Sequence, residues 1–133
     1  AGKLGKKLIT KVSNLMHKGK SIPIVSPDTV LDKALLEITK KKLGITLVVD
    51  KKRVVGIFTD GDLRRSINEK VNIQETKIKD LMTKSYITVN SSALAVDAAK
   101  IMEKNKIFTL VVTEEKKYVG VISMHDLIEA RIL

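Results

Sequence analysis

Gly56-Ile57-Phe58-Thr59-Asp60-Gly61-Asp62-Leu63 recurs as Gly120-Val121-Ile122-Ser123-Met124-His125-Asp126-Leu127. In each copy a Gly opens a short apolar run and a hydroxyl residue closes it. An acid follows three residues later, then Leu. The two copies are offset by 64 residues, and the same offset runs back through Val55/Val119 to Ala34/Ala98. A match sustained over that length marks a duplicated structural unit.

Working outward from the repeat gives its elements. Thr59 to Asp62 and Ser123 to Asp126 carry capping-box spacing, so helices are predicted over Asp62–Ile67 and Asp126–Arg131. The apolar runs Val54–Phe58 and Tyr118–Ile122 read as strands. Polar turns, Asp50-Lys51-Lys52-Arg53 and Glu114-Glu115-Lys116-Lys117, join them to the β-branched runs Ile45–Val49 and Thr109–Val112, which predicts two hairpins. Further upstream, Thr29 and Asp32 also have capping-box spacing. Val30, Leu31, Ala34, Leu35 and Ile38 then form one helical face that ends at Lys40-Lys41-Lys42. Its copy runs from Leu94 to Met102 and closes with Lys104-Asn105-Lys106. Lysines at these ends suit the negative pole of a helix dipole. Ile22–Val25 and Tyr86–Val89 read as short opening strands.

The expected order in each repeat is strand, helix, strand, strand, helix. Leu15-Met16-His17 begins the first copy and Leu81-Met82-Thr83 the second, at an offset of 66, so the first copy carries two extra residues near Gly19-Lys20. Residues 15–70 and 71–133 are taken as the two repeats, with the polar stretch 68–80 carrying the link. Residues 1–14 are expected to be a linker outside the core, with a short amphipathic helix allowed by Leu4, Leu8, Ile9 and Val12.

Composition narrows the function. The 133 residues hold no Cys, no Trp, two Phe and two Tyr. Base-stacking platforms for single-stranded nucleic acid need aromatic faces, so that class is disfavoured. Lack of Cys removes disulfides and thiolate metal sites and suits the cytoplasm. His17 and His125 are the only imidazoles, and no spacing suggests a metal site or a nucleophile–base pair, so no catalytic or metal residue is assigned. No apolar run reaches membrane-spanning length, and no signal peptide is visible. The net charge of +10 lies mostly in residues 1–70, with 16 Lys and Arg against seven acids. Residues 71–133 hold nine against eight. Such asymmetry can serve nucleic acid, but only four Arg occur and the Lys clusters sit at helix ends, so this reading ranks third.

The repeated corner admits two explanations. Capping alone accounts for the residue types and spacing at Thr59/Asp62 and Ser123/Asp126, but not for Gly56 and Gly120. A ligand-binding corner uses the same atoms: free N–H groups and the hydroxyl meet a phosphate, and the carboxylate accepts from sugar hydroxyls.

With the ending Gly-x-x-Ser/Thr-x-x-Asp-Leu after strand–helix–strand–strand–helix, the chain resembles a tandem pair of CBS (cystathionine-β-synthase) domains, a Bateman module, over residues 15–133. Val12-Ser13-Asn14-Leu15-Met16-His17, Gly56 to Arg65 and Met124-His125-Asp126-Leu127 further resemble the C-terminal CBS pair of the arabinose-5-phosphate isomerase family. The resemblance implies an α+β fold of two pseudo-symmetric β-α-β-β-α repeats packed sheet to sheet. It implies that residues 1–14 lead from an N-terminal SIS (sugar isomerase) domain that this sequence does not include. It implies a non-catalytic regulatory pair, acting on an isomerase that feeds lipopolysaccharide synthesis. Ligand contacts would come from Thr59, Asp62, Ser123 and Asp126, and from the strand ends Val25-Ser26 and Val89-Asn90, in clefts between the repeats. His125 and Arg64 are weighed as phosphate contacts, against a solvated or capping role for each. No cofactor is implied. The regulatory ligand would be a small anion: an AMP/ATP-type nucleotide or CMP-Kdo. The partner would be a second copy, in a homodimer or a tetramer of the full-length enzyme. A purely structural oligomerisation module with empty clefts stays open as the alternative.

Overall fold

The computed structural model describes residues 2–133, with side chains from Leu4 onward. The helices are α1 (Gly2–Ile9), α2 (Val12–Leu15), α3 (Leu31–Lys41), α4 (Asp60–Asn68), α5 (Ala95–Asn105) and α6 (Met124–Glu129). The strands are β1 (Ile24–Val25), β2 (Ile45–Asp50), β3 (Arg53–Thr59), β4 (Thr88–Asn90), β5 (Thr109–Glu114) and β6 (Lys117–Ser123). The expected opening strands shrink: Ile22-Pro23 and Tyr86-Ile87 lie outside β1 and β4.

The chain divides into two compact units. One is Lys20–Tyr86; the other joins the residues up to Gly19 with Ile87–Leu133. Each holds a three-stranded sheet. In the first, β1 runs parallel to β2 with Ile24 beside Leu47, and β2 pairs antiparallel with β3 from Ile45–Thr59 to Asp50–Arg53. In the second, β4 lies parallel to β5 with Val89 beside Val112, and β5 pairs with β6 from Thr109–Ser123 to Glu114–Lys117. The hairpins therefore form as expected, each closed by a two-residue turn.

The first core gathers Leu31, Ala34, Val48, Phe58 and Ile78, and the second gathers Val12, Ala95, Met102, Ile122 and Leu127. Val12 and Ile78 correct two expectations. Val12 lies within the supposed linker 1–14, and Ile78 within the supposed link 68–80, yet both are fully buried. Their segments align residue by residue at the offset of 66: Lys11-Val12-Ser13-Asn14-Leu15-Met16-His17 against Lys77-Ile78-Lys79-Asp80-Leu81-Met82-Thr83. Each is built into a sheet-and-helix unit that is not formed by the strands directly following it in the chain.

These segments also change how the first helix of each unit begins. Thr29 does not cap α3; its hydroxyl sits 3.0 Å from that of Ser26, and the N-cap position, Val30, makes no side-chain cap. The free helix donors go to main-chain carbonyls instead. Leu31 N–H donates to Thr76 O (2.9 Å) and Asp32 N–H to Ile73 O (2.8 Å). In the other unit Ala95 N–H donates to Thr10 O at 2.8 Å.

The charge asymmetry along the chain disappears in three dimensions. Lys20–Tyr86 carries 14 Lys and Arg against nine acids, and the other unit 11 against six. Both units thus carry the same excess, which leaves no basic half for a polyanion. No helix among the described residues is long and apolar enough to cross a membrane.

Candidate functional site

The two repeated corners form at the starts of α4 and α6, where β3 and β6 end. At the first, Thr59 is the N-cap, with extended backbone. Its N–H donates to Asp62 Oδ2 at 2.9 Å, and Asp62 N–H returns to Thr59 Oγ1 at 3.4 Å. At the second, Ser123 N–H donates to Asp126 Oδ2 at 2.8 Å, and Asp126 N–H to Ser123 Oγ at 3.2 Å. Both capping boxes are therefore closed, as the spacing predicts.

The other carboxylate oxygen of each acid is held by a residue the sequence alone did not connect to it. Thr83 Oγ1 donates to Asp62 Oδ1 at 2.8 Å, and the Arg65 guanidinium pairs with the same oxygen. His17 Nε2 lies 2.7 Å from Asp126 Oδ1. Thr83 and His17 occupy matching places in the 66-residue register, and that register was the one available sign of their kinship. Both sit in short antiparallel bridges. Thr83 exchanges main-chain bonds with Ile57 (2.8 and 2.9 Å), and His17 with Val121 (2.8 and 3.0 Å).

These bridges explain the glycines, which capping did not. A Cβ on Gly56 would stand 2.5 Å from Met82 Sδ and 3.0 Å from Thr83 O; one on Gly120 would stand 2.7 Å from His17 O and 2.8 Å from Met16 Sδ. A segment crosses directly over each glycine, so the glycines answer to packing.

The remaining candidates divide. Val25 and Val89 are core residues, while Ser26 and Asn90 are exposed. Asn90 Oδ1 accepts from Ser92 N–H (2.9 Å) and Ser92 Oγ (2.7 Å) in a tight local turn. Within its own sheet, Val25 stands beside Val48, whereas Thr59 stands opposite Ile45. Three residues along the strand at about 3.3 Å each, with two strand spacings of about 4.8 Å across the sheet, put the strand end and the corner about 14 Å apart. The same holds for Val89, beside Val112, and Ser123, opposite Thr109. Neither unit by itself brings its strand-end candidates to its corner.

His125 is largely exposed and pairs with Glu129 at 3.0 Å along α6. Arg64 points to solvent, and its neighbour Arg65 makes the contact with Asp62. Beyond Ser26, a hydrogen bond from Lys79, then the charge of Lys77, holds the Asp28 carboxyl below its usual range. No group of His, Cys, Asp or Glu suited to a metal occurs among the described residues.

A family model, the CBS domain, matches residues 12–69 and 78–133. The chain belongs to the CBS-domain family. Its two matches open at Val12 and Ile78, the buried residues that head the aligned segments. The CBS pair is 46% identical over 133 residues to the arabinose 5-phosphate isomerase KdsD of Yersinia pestis, covering 99% of this chain and 40% of that protein. It is 43% identical over 134 residues to KdsD of Pseudomonas aeruginosa, covering 99% and 41%. The pair thus spans about two fifths of the relatives it matches. Among solved structures it resembles CBSX2 in complex with AMP, with a TM-score of 0.79 and 28% identity over 92% of this chain and 96% of that one.

Proposed function

We propose that this CBS pair is the non-catalytic, regulatory part of a cytoplasmic arabinose 5-phosphate isomerase, and that it binds an adenine nucleotide or a sugar nucleotide such as CMP-Kdo. The duplicated corner, Thr59/Asp62 and Ser123/Asp126, carries this reading in a pair that resembles AMP-bound CBSX2. The corner chemistry fits such a ligand. Hydroxyl and main-chain donors suit a phosphate, and a carboxylate suits a ribose diol. A ligand that prefers one arrangement of the pair shifts the attached enzyme's population by its differential affinity.

Calorimetry with AMP, ATP and CMP-Kdo tests the proposal. At least one is expected to bind and to raise the melting temperature by mass action. Asp126→Asn keeps the side-chain shape but removes the charge, and should weaken binding by about tenfold or more, equivalent to about 1.4 kcal/mol. No heat and no thermal shift with any of the three would remove the sensing role.

One observation favours a second reading, a scaffold that holds a homodimer or tetramer of the enzyme. Asp62 is 2% exposed, and both its oxygens are already occupied by Thr59, Thr83 and Arg65. Deleting the pair from the full enzyme would then change its sedimentation and leave its response to nucleotides unaltered.

A further inference from the structure

The segment Thr10–His17 runs across the unit that contains Ile87–Leu133 and ties together its two separated groups of candidate residues. At one end, Ala95 N–H donates to Thr10 O (2.8 Å), Val12 N–H to Ala93 O (2.8 Å) and Ser13 N–H to Ser91 O (2.9 Å), just past β4. Between the ends, Val12 is fully buried and Met16 covers Gly120. At the other end, His17 bridges Val121 and its ring meets Asp126. The β4 end and the α6 corner lie at opposite ends of the sheet, and this strap reaches both.

We propose that Thr10–His17 is the element through which occupancy of the Ser123/Asp126 corner is transmitted, and that His17 is the positioning residue that releases it. The inference rests on the nucleotide reading above. Asp126 has two oxygens, and each already has a partner. The Oδ2 bond to Ser123 N–H closes a ring over the four residues Ser123–Asp126 at the helix start, so its geometry is fixed by the main chain. The Oδ1 contact is made by an imidazole that is 35% exposed and is free to turn about two side-chain bonds. Where a ribose diol takes the place of a side chain at Asp126, the contact that yields is His17 on Oδ1, and the cap on Oδ2 stays closed. The strap then loses its anchor at the β6 end, and the main-chain bridge to Val121 is left to hold it alone. The matching strap, Lys77–Thr83, is held differently. Thr83 shares Oδ1 with Arg65 on an Asp62 carboxylate that is 2% exposed, against 13% for Asp126, so a ligand has less access to the Thr83 contact. The releasable strap is thus the one that begins at the N-terminal end of the chain.

The experiment combines calorimetry with amide hydrogen exchange on the 133-residue chain, using AMP as the probe. In the native sequence AMP is expected to bind and to speed exchange at the amides of His17 and Val121 by about tenfold, while Thr83 and Ile57 change less. His17→Ala is expected to bind AMP more tightly, to exchange fast at Val121 without AMP, and to show no further acceleration with it. His17→Thr places at this position the residue found at Thr83, and should restore slow exchange in the free protein. AMP binding with unchanged exchange at His17 and Val121, or weaker binding by His17→Ala, overturns the strap's role and leaves the sensor standing. Absence of AMP binding in every variant overturns the strap's role, and the nucleotide reading falls with it when ATP and CMP-Kdo also give no heat.

Discussion

At the scale of single residues, Gly56 and Gly120 occupy equivalent positions but are not equally constrained. A Cβ on Gly56 first meets the flexible end of Met82, which can turn aside. A Cβ on Gly120 first meets the carbonyl oxygen of His17, which is fixed by the bridge to Val121. Small-to-large changes in packed sites cost about 1–3 kcal/mol, and more of that cost is realised when the obstacle is main chain. Gly120→Ala should therefore destabilise the protein by about 2–3 kcal/mol, and Gly56→Ala by about 1 kcal/mol, in urea unfolding with an unchanged m-value. Equal costs would show that the strap moves as easily as a methionine side chain and that the two glycines are equally constrained.

At the scale of elements, the hairpins were legible because their information is local. Alternating β-branched runs, a polar turn and a capping box all lie within a few residues of one another. The start of α3 was not legible in the same way. Thr29 and Asp32 have the right spacing, but the helix donors are taken by carbonyls of Thr76 and Ile73, more than forty residues away. A main-chain acceptor leaves no residue type to recognise. The Thr83–Asp62 and His17–Asp126 contacts are illegible for a related reason: they join residues 21 and 109 positions apart, and no local spacing connects them. Both hairpins keep a local misfit. The turn residues Lys51-Lys52 and Glu115-Lys116 all have positive φ, at +50°, +67°, +49° and +68°. Two-residue hairpin loops of this kind favour Asn-Gly, since side chains other than Asn and Asp are strained there. Replacing Lys51-Lys52 by Asn-Gly should stabilise the chain by about 1 kcal/mol, and the same change at Glu115-Lys116 should add a similar amount. A loss of stability in either case would mean that the lysine and glutamate side chains make contacts that outweigh the turn strain.

At the scale of the whole molecule, each compact unit needs a segment that lies apart from it in the sequence or at its end. Lys77–Thr83 serves Lys20–Tyr86, and Thr10–His17 serves Ile87–Leu133. This makes the N-terminus the sharpest place to test how the fold is held. Helix α1 shows Leu4, Leu8 and Ile9 more than half exposed, so removing residues 1–9 sacrifices little burial. Removing residues 1–14 takes Val12 out of the core as well as the main-chain bonds at Thr10, Val12 and Ser13. Full burial of a Val contributes about 2 kcal/mol, and each bond about 1 kcal/mol, so the second truncation should cost about 4–5 kcal/mol against under 1 kcal/mol for the first. The loss falls on one unit only. Lys20–Tyr86 keeps its own strap and its own core around Phe58 and Ile78. A chain starting at Leu15 should therefore melt in two steps, the earlier one reported by amides of β5 and β6. A single transition close to that of the intact chain would show that the second unit stands without its strap, and that Val12 is buried but dispensable.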